Sequence, residues 1–169
     1  NDHEGFKLSA ILHFSVETAI TKEALEKGNA NELTEQLYKE AIEQYTAKKS
    51  LLAKQSLPVF QNVRTTQGNH IVNVVVPFTD GKKTINALTN LDKTISTKGM
   101  ELVSSLEKTI TLAIIDDTWK EHLRAMDDLK QSVQTAVYEQ KDPLVIYKQT
   151  AFQLFSEMDA EVNKDIVSF

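Results

Sequence analysis

Ile115, Trp119, His122, Met126, Leu129 and Val133 follow one another at steps of 4, 3, 4, 3 and 4. This spacing holds six side chains on one side of a helix and rules out a strand, which would alternate every second residue. Asp117, Glu121, Arg124 and Asp128 repeat the same steps two positions on, roughly 200° around the helix. One side is therefore read as a seam and the other as a solvated, mixed-charge stripe. A second series, Leu144, Tyr147, Ala151, Leu154 and Met158, steps by 3, 4, 3 and 4, widened by Phe155, Val162 and Ile166. Between the two stand Asp142, suited to cap a helix, and Pro143, suited to its first position. The expectation is an antiparallel pair of helices, about 101–134 and 143–167, joined by a tip loop at 135–142. At about 1.5 Å per residue the shorter arm is roughly 35–40 Å long, which gives it the reach of a lever.

Upstream, Leu33, Leu37, Ala41 and Tyr45 step by four, with Tyr38 and Ile42 alongside. Asn31 reads as the N-cap of this helix, Glu32 and Glu35 as its acidic first turn, Lys48 and Lys49 as its basic end, and Pro58 as its close. Residues 6–20 fit either a helix face or an alternating strand, with the helix preferred. Thr21 reads as the cap of a short turn ending at Gly28. The stretch 59–100 changes character. The β-branched "NHIVNVVVPF", the turn "TDGK" and the return "KTINAL" predict a small hairpin, with Pro77 confining the first strand to an edge or ending it near Val76. The fold class is thus mainly α. Residues 1–100 form a helical domain with a β-rich insertion at about 56–100, and 101–169 form the long two-helix hairpin.

Composition narrows the chemistry. Among 169 residues there are five glycines, too scattered for a phosphate loop, and no cysteine, which excludes a disulfide framework, a cysteine zinc site and a cysteine nucleophile. The net charge of −5 argues against a general grip on nucleic acid, which needs a cationic face. No apolar run approaches the roughly 18 residues that span a bilayer. The N-terminus has neither an initiator methionine nor the order of a signal peptide, and reads as a cut inside a longer chain. Asp116 and Asp127 share a helix face about 16 Å apart, beyond the roughly 5–10 Å of an acid/base pair. His122 has Thr118, Trp119, Ala125 and Met126 at the positions where a helical metal site would place a second ligand, so it reads as a packed histidine. Trp119 and Met126 read as hairpin core. Tyr138 has two readings, a cap folded back on the end of the hairpin or a contact with something outside.

The pieces "WKEH", "AMDDLKQ", "YEQKDP" and "YKQTAFQLF" stand in the order and spacing of one family. Residues 101–169 closely resemble the C-terminal scaffold of SecA, the ATPase motor of bacterial preprotein translocation. Residues 31–55 are similar, less specifically, to its helical wing. The resemblance implies that the hairpin is the two-helix finger at the mouth of the SecY channel, with Tyr138 at the position of the tip tyrosine that touches the moving polypeptide. Thr135, Ala136, Val137, Glu139, Gln140 and Lys141 then form the rest of the tip, and Trp119, His122, Met126, Asp142 and Pro143 support it. The family commonly has Leu-Arg before a small residue and the tyrosine, and a glycine where Ser132 stands. Here Thr135-Ala136-Val137 precedes Tyr138, leaving Lys141 as the nearby cation. The implied partners are the channel complex, unfolded preprotein and the parent motor's other domains, and no nucleic acid. ATP and magnesium are implied for the parent alone, with no cofactor, no metal and no enzymatic activity in this segment. The implied place is the cytoplasm, peripheral to the inner membrane through the channel. The competing reading is a helical adaptor for another protein, with Tyr138 as a structural cap.

Overall fold

The computed structural model describes residues 2–79, 81, 84–135 and 142–168. They form α1 (Asp2–Phe14), α2 (Lys22–Lys27), α3 (Ala30–Gln67), a 3₁₀ turn (Gly68–His70), β1 (Asn73–Thr79), β2 (Thr84–Asn90), α4 (Leu91–Ser96), α5 (Met100–Thr135) and α6 (Pro143–Ser168). The fold is mainly α with one two-stranded antiparallel sheet. Two compact units divide within α5, one covering 1–109 and the other 110–167.

In the first unit the ambiguous stretch 6–20 follows the preferred helical reading up to Phe14, and residues 15–20 are neither helix nor strand. Ser15 turns left-handed (φ 54°) and its N–H bonds the Ile11 carbonyl at 2.9 Å, closing the helix. Beyond it Val16, Thr18 and Ile20 are buried while Glu17 and Ala19 are exposed, an extended alternation without a partner strand among the described residues. Thr21 caps α2 by accepting from the Ala24 N–H, and Gly28 ends it, as the sequence suggests.

Two boundaries of α3 need correcting. Its cap is Asn29, whose side chain accepts from the Asn31 N–H, so the helix begins two residues earlier than read. Pro58 does not close it either; α3 runs on to Gln67. An interior proline costs about 3 kcal/mol. The turns beyond Pro58 carry Phe60, which joins Leu91 and Leu102 in the core, and Val63, which packs against it. Burial of each such side chain contributes about 1.5–3 kcal/mol, enough to offset the proline. Residues 56–67, expected to be β-rich, are helical as a result.

The hairpin forms where it was read, with Val75 opposite Leu88 and Thr79 opposite Thr84. Pro77 lies within β1, opposite Asn86, and of its two readings the edge strand holds, since each strand of a two-stranded sheet is an edge. Val74, Val76 and Phe78 pack on the Phe60–Leu91–Leu102 core, and the Thr89 and Thr94 hydroxyls pair at 2.8 Å beneath the sheet. At the end of α4 the Gly99 N–H bonds the Thr94 carbonyl and the Lys98 N–H bonds the Ile95 carbonyl, a Schellman closure with Lys98 left-handed at φ 53°. Gly99 follows at φ 92°, so close to α3 that a Cβ there would stand 2.3 Å from the Ala53 carbonyl oxygen.

In the second unit α5 from Ile110 onward and α6 form the antiparallel helical pair. From His122 through Val133 the inward residues of α5 are the seam read from sequence. Upstream the seam needs correcting by one position. Ile114 and Thr118 are half-buried, whereas Ile115 is exposed and Trp119 is 43% exposed. Ile115 and Val133 stand eighteen residues, five full turns, apart and so share one face of α5. The helical period does not account for the exposure of Ile115, which depends on what packs against that stretch. On α6, Ile146 and Tyr147 turn inward and Leu144 outward, against the reading of Leu144 as a seam residue.

Candidate functional site

The candidate site is built on the two helices of the second unit. Trp119 and His122, three residues apart on α5, stack at a tilt with ring centroids 5.4 Å apart. His122 in turn meets the edge of Phe155 on α6, at 6.0 Å and 74°. This His122–Phe155 contact ties the helices together roughly midway along α6, with Met126, Leu129 and Val133 continuing the inward face of α5. Leu129 is 7% exposed and is the most enclosed of them. Asp142 accepts from the Leu144 N–H at 2.9 Å and its carbonyl takes the Ile146 N–H at 3.2 Å, so Asp142 caps α6 and Pro143 opens it. A proline costs nothing at that position, since its missing N–H would have no helical partner. Thr135 is the last residue of α5. Ala136, Val137, Tyr138, Glu139, Gln140 and Lys141, the tip residues singled out from sequence, lie outside the described residues.

The charged face of α5 pairs along the helix. Lys120 reaches Asp116 at 2.5 Å, and the Asp116 carboxylate beside it raises the lysine's pKa. Arg124 pairs with Glu121, and Lys130 with Asp127 at 3.5 Å. Such exposed pairs contribute little to stability and keep this face wet. Asp116 and Asp127 thus have lysine partners rather than each other.

Sequence reasoning missed a second polar cluster, in the first unit. The Tyr45 hydroxyl donates to Glu107 Oε1 at 2.6 Å, and Lys49 Nζ reaches the same oxygen at 2.8 Å. Burial, together with the Glu107 carboxylate, pushes the Tyr45 phenol up to about 12. Burial alone would raise Glu107, but hydrogen bonds from Lys49 and Tyr45 outweigh it and hold the carboxyl below its usual range. These three residues clamp the first turns of α5 onto α3. The four-residue spacing of Tyr45 and Lys49 was legible; their partner 58 residues beyond Lys49 was not. A cleft of about 600 Å³ lies between α1 and α3, where Ile11 and Val16 face Glu17, Glu40 and Glu43. Burial opposes ionisation of Glu40, yet hydrogen bonds from Gln36, Thr18 and the Ala19 backbone hold its pKa down. No group of three histidines, cysteines or acids able to hold a metal occurs among the described residues, and no helix there is long and apolar enough to cross a membrane.

The family model described as "SecA Wing and Scaffold domain" matches residues 2–169. A protein translocase subunit SecA from Christiangramia forsetii is 48% identical over 168 residues, covering 99% of this chain and 15% of that protein. Its counterparts from Flavobacterium psychrophilum and Porphyromonas gingivalis are 46% and 40% identical over the same share of each chain. The chain belongs to the SecA wing and scaffold family. It spans 15% of the length of these relatives, and no solved structure matches it.

Proposed function

We propose that this chain is the wing and scaffold segment of a SecA-type protein translocation motor. It transmits ATP-driven movement of the parent's other domains to an unfolded preprotein and a SecY-type channel. The observation that carries this reading is the match over nearly the whole chain to subunits named as protein translocases. ATP and magnesium act in the parent's nucleotide-binding domains and not in residues 1–169, and the segment works from the cytoplasm, reaching the membrane through the channel. No nucleic acid takes part.

In this reading Tyr138 touches the translocating chain. A phenol ring offers a broad apolar face and one polar handle, so it engages many side chains without demanding a sequence. Thr135, Ala136, Val137, Glu139, Gln140 and Lys141 frame it, and the His122–Phe155 contact and the Asp142 cap stiffen the two arms behind it. The test is a single cysteine at position 138 in an otherwise cysteine-free parent motor, challenged with a stalled, cysteine-bearing preprotein. A cross-link that requires ATP and the channel is expected. Its absence, while position 140 does react, leaves Tyr138 as a structural cap. Tyr138→Ala separates the same readings by stability, since an exposed tip substitution changes it within about 0.5 kcal/mol, whereas a buried cap costs about 3–5 kcal/mol. Calorimetry of the isolated segment with ATP should register no stoichiometric binding; a saturable signal would overturn the division of labour.

A further inference from the structure

The sheet of the first unit has an edge without the usual protection. Natural edge strands are blunted by lysine, proline, a bulge or a cover, because their unpaired N–H and C=O groups otherwise template another strand. β1 carries Pro77. β2, Thr84–Asn90, reads "TINALTN", with no charge, proline or glycine, and its register against β1 is seven for seven without a bulge. The inner face is anchored, with Ala87 and Thr89 fully enclosed. The outer face is open and uncharged, showing Val75 and Leu88 opposite each other at 57% and 59% exposure among asparagines and threonines. No third strand joins the sheet among the described residues.

We propose that the free edge of β2 docks an extended segment of unfolded polypeptide as a third strand. The chemistry selects this occupant. A backbone ladder recognises any extended chain, and an uncharged edge rejects few sequences. A second copy fits less well. Seven residues at about 3.3 Å each offer an edge of roughly 23 Å, and pairing over that length buries only several hundred Å², below the roughly 1,200 Å² of a stable dimer. A weak, reversible contact suits a chain that must move on. The proposal rests on the reading that the parent handles polypeptide, and places a second, backbone-reading contact on the wing.

The test is amide hydrogen exchange on the full 169-residue chain, with and without reduced, carboxyamidomethylated α-lactalbumin as a permanently unfolded probe. At saturating probe, amides within 84–90 should exchange at least tenfold more slowly. Leu88→Lys, a charge on an exposed edge position, should weaken probe binding at least tenfold with an unchanged melting curve, and Asn86→Lys serves as the independent variant. Protection confined to other segments, or undiminished binding by both variants, overturns the proposal. So does protection of β2 that grows with protein concentration in the absence of probe, which would mark self-pairing. Tyr138→Ala should leave the β2 protection intact. The cross-link at position 138 is read separately in the parent, so failure of the edge and failure of the translocation reading remain distinguishable.

Discussion

The first unit closes around its own core, whereas the second exposes much of what it brings together. Leu91 and Leu102 are almost wholly enclosed between α3 and the sheet. In the helical pair Leu129 is the buried apolar residue among those described, while Trp119, Phe152 and Phe155 stand largely or half exposed. The contrast follows from layer geometry. A sheet and a helix crossing it enclose side chains from several directions, while two helices meet along one line and leave their flanks open. The first unit is thereby built to hold a shape, and the second to present long faces on stiff arms.

The comparison is sharpest for core truncations. Leu102→Ala should cost about 2–5 kcal/mol in denaturant unfolding, and Leu129→Ala visibly less, since more of its surroundings are free to relax. Equal losses would mean that the helical pair is enclosed as tightly as the hairpin core. Next come the two residues that close α4. Gly99→Ala combines a left-handed backbone, worth about 1–3 kcal/mol of strain, with a clash on Ala53, so the melting temperature should fall. Lys98→Gly relieves the left-handed lysine and should stabilise by about 1 kcal/mol. A loss on that change would show that the lysine side chain stabilises more than its backbone costs.

The smallest effect is electrostatic. Because the Tyr45 pKa is raised from 10.0 to about 12, its contribution is complete below pH 10 and is lost as pH rises towards 12. Glu107, held below the usual 4.5, contributes above that pH and loses its contribution as pH falls through its lowered value. Stability of the wild-type first unit should therefore decline modestly at either extreme, and Tyr45→Phe should flatten the alkaline limb. An unaltered alkaline limb in that variant would show that the Tyr45 hydroxyl does not carry the decline.

Local sequence determined the elements whose causes are local. The helices α5 and α6, the Asp142–Pro143 start and the Thr21 cap each carry their signal within a few residues, and each forms where it was read. The family was legible for the same reason, in short motifs of fixed spacing. Only the tertiary structure decided whether α3 would survive Pro58, because the compensating burial of Phe60 comes from residues 31 and 42 positions away, Leu91 and Leu102. It alone brought Glu107 to Tyr45 and Lys49, and set Gly99 against Ala53. It also decided which side of α5 is enclosed near Trp119, which only a packed neighbour can set. Periodicity records which residues share a face; burial depends on what the rest of the chain sets against that face.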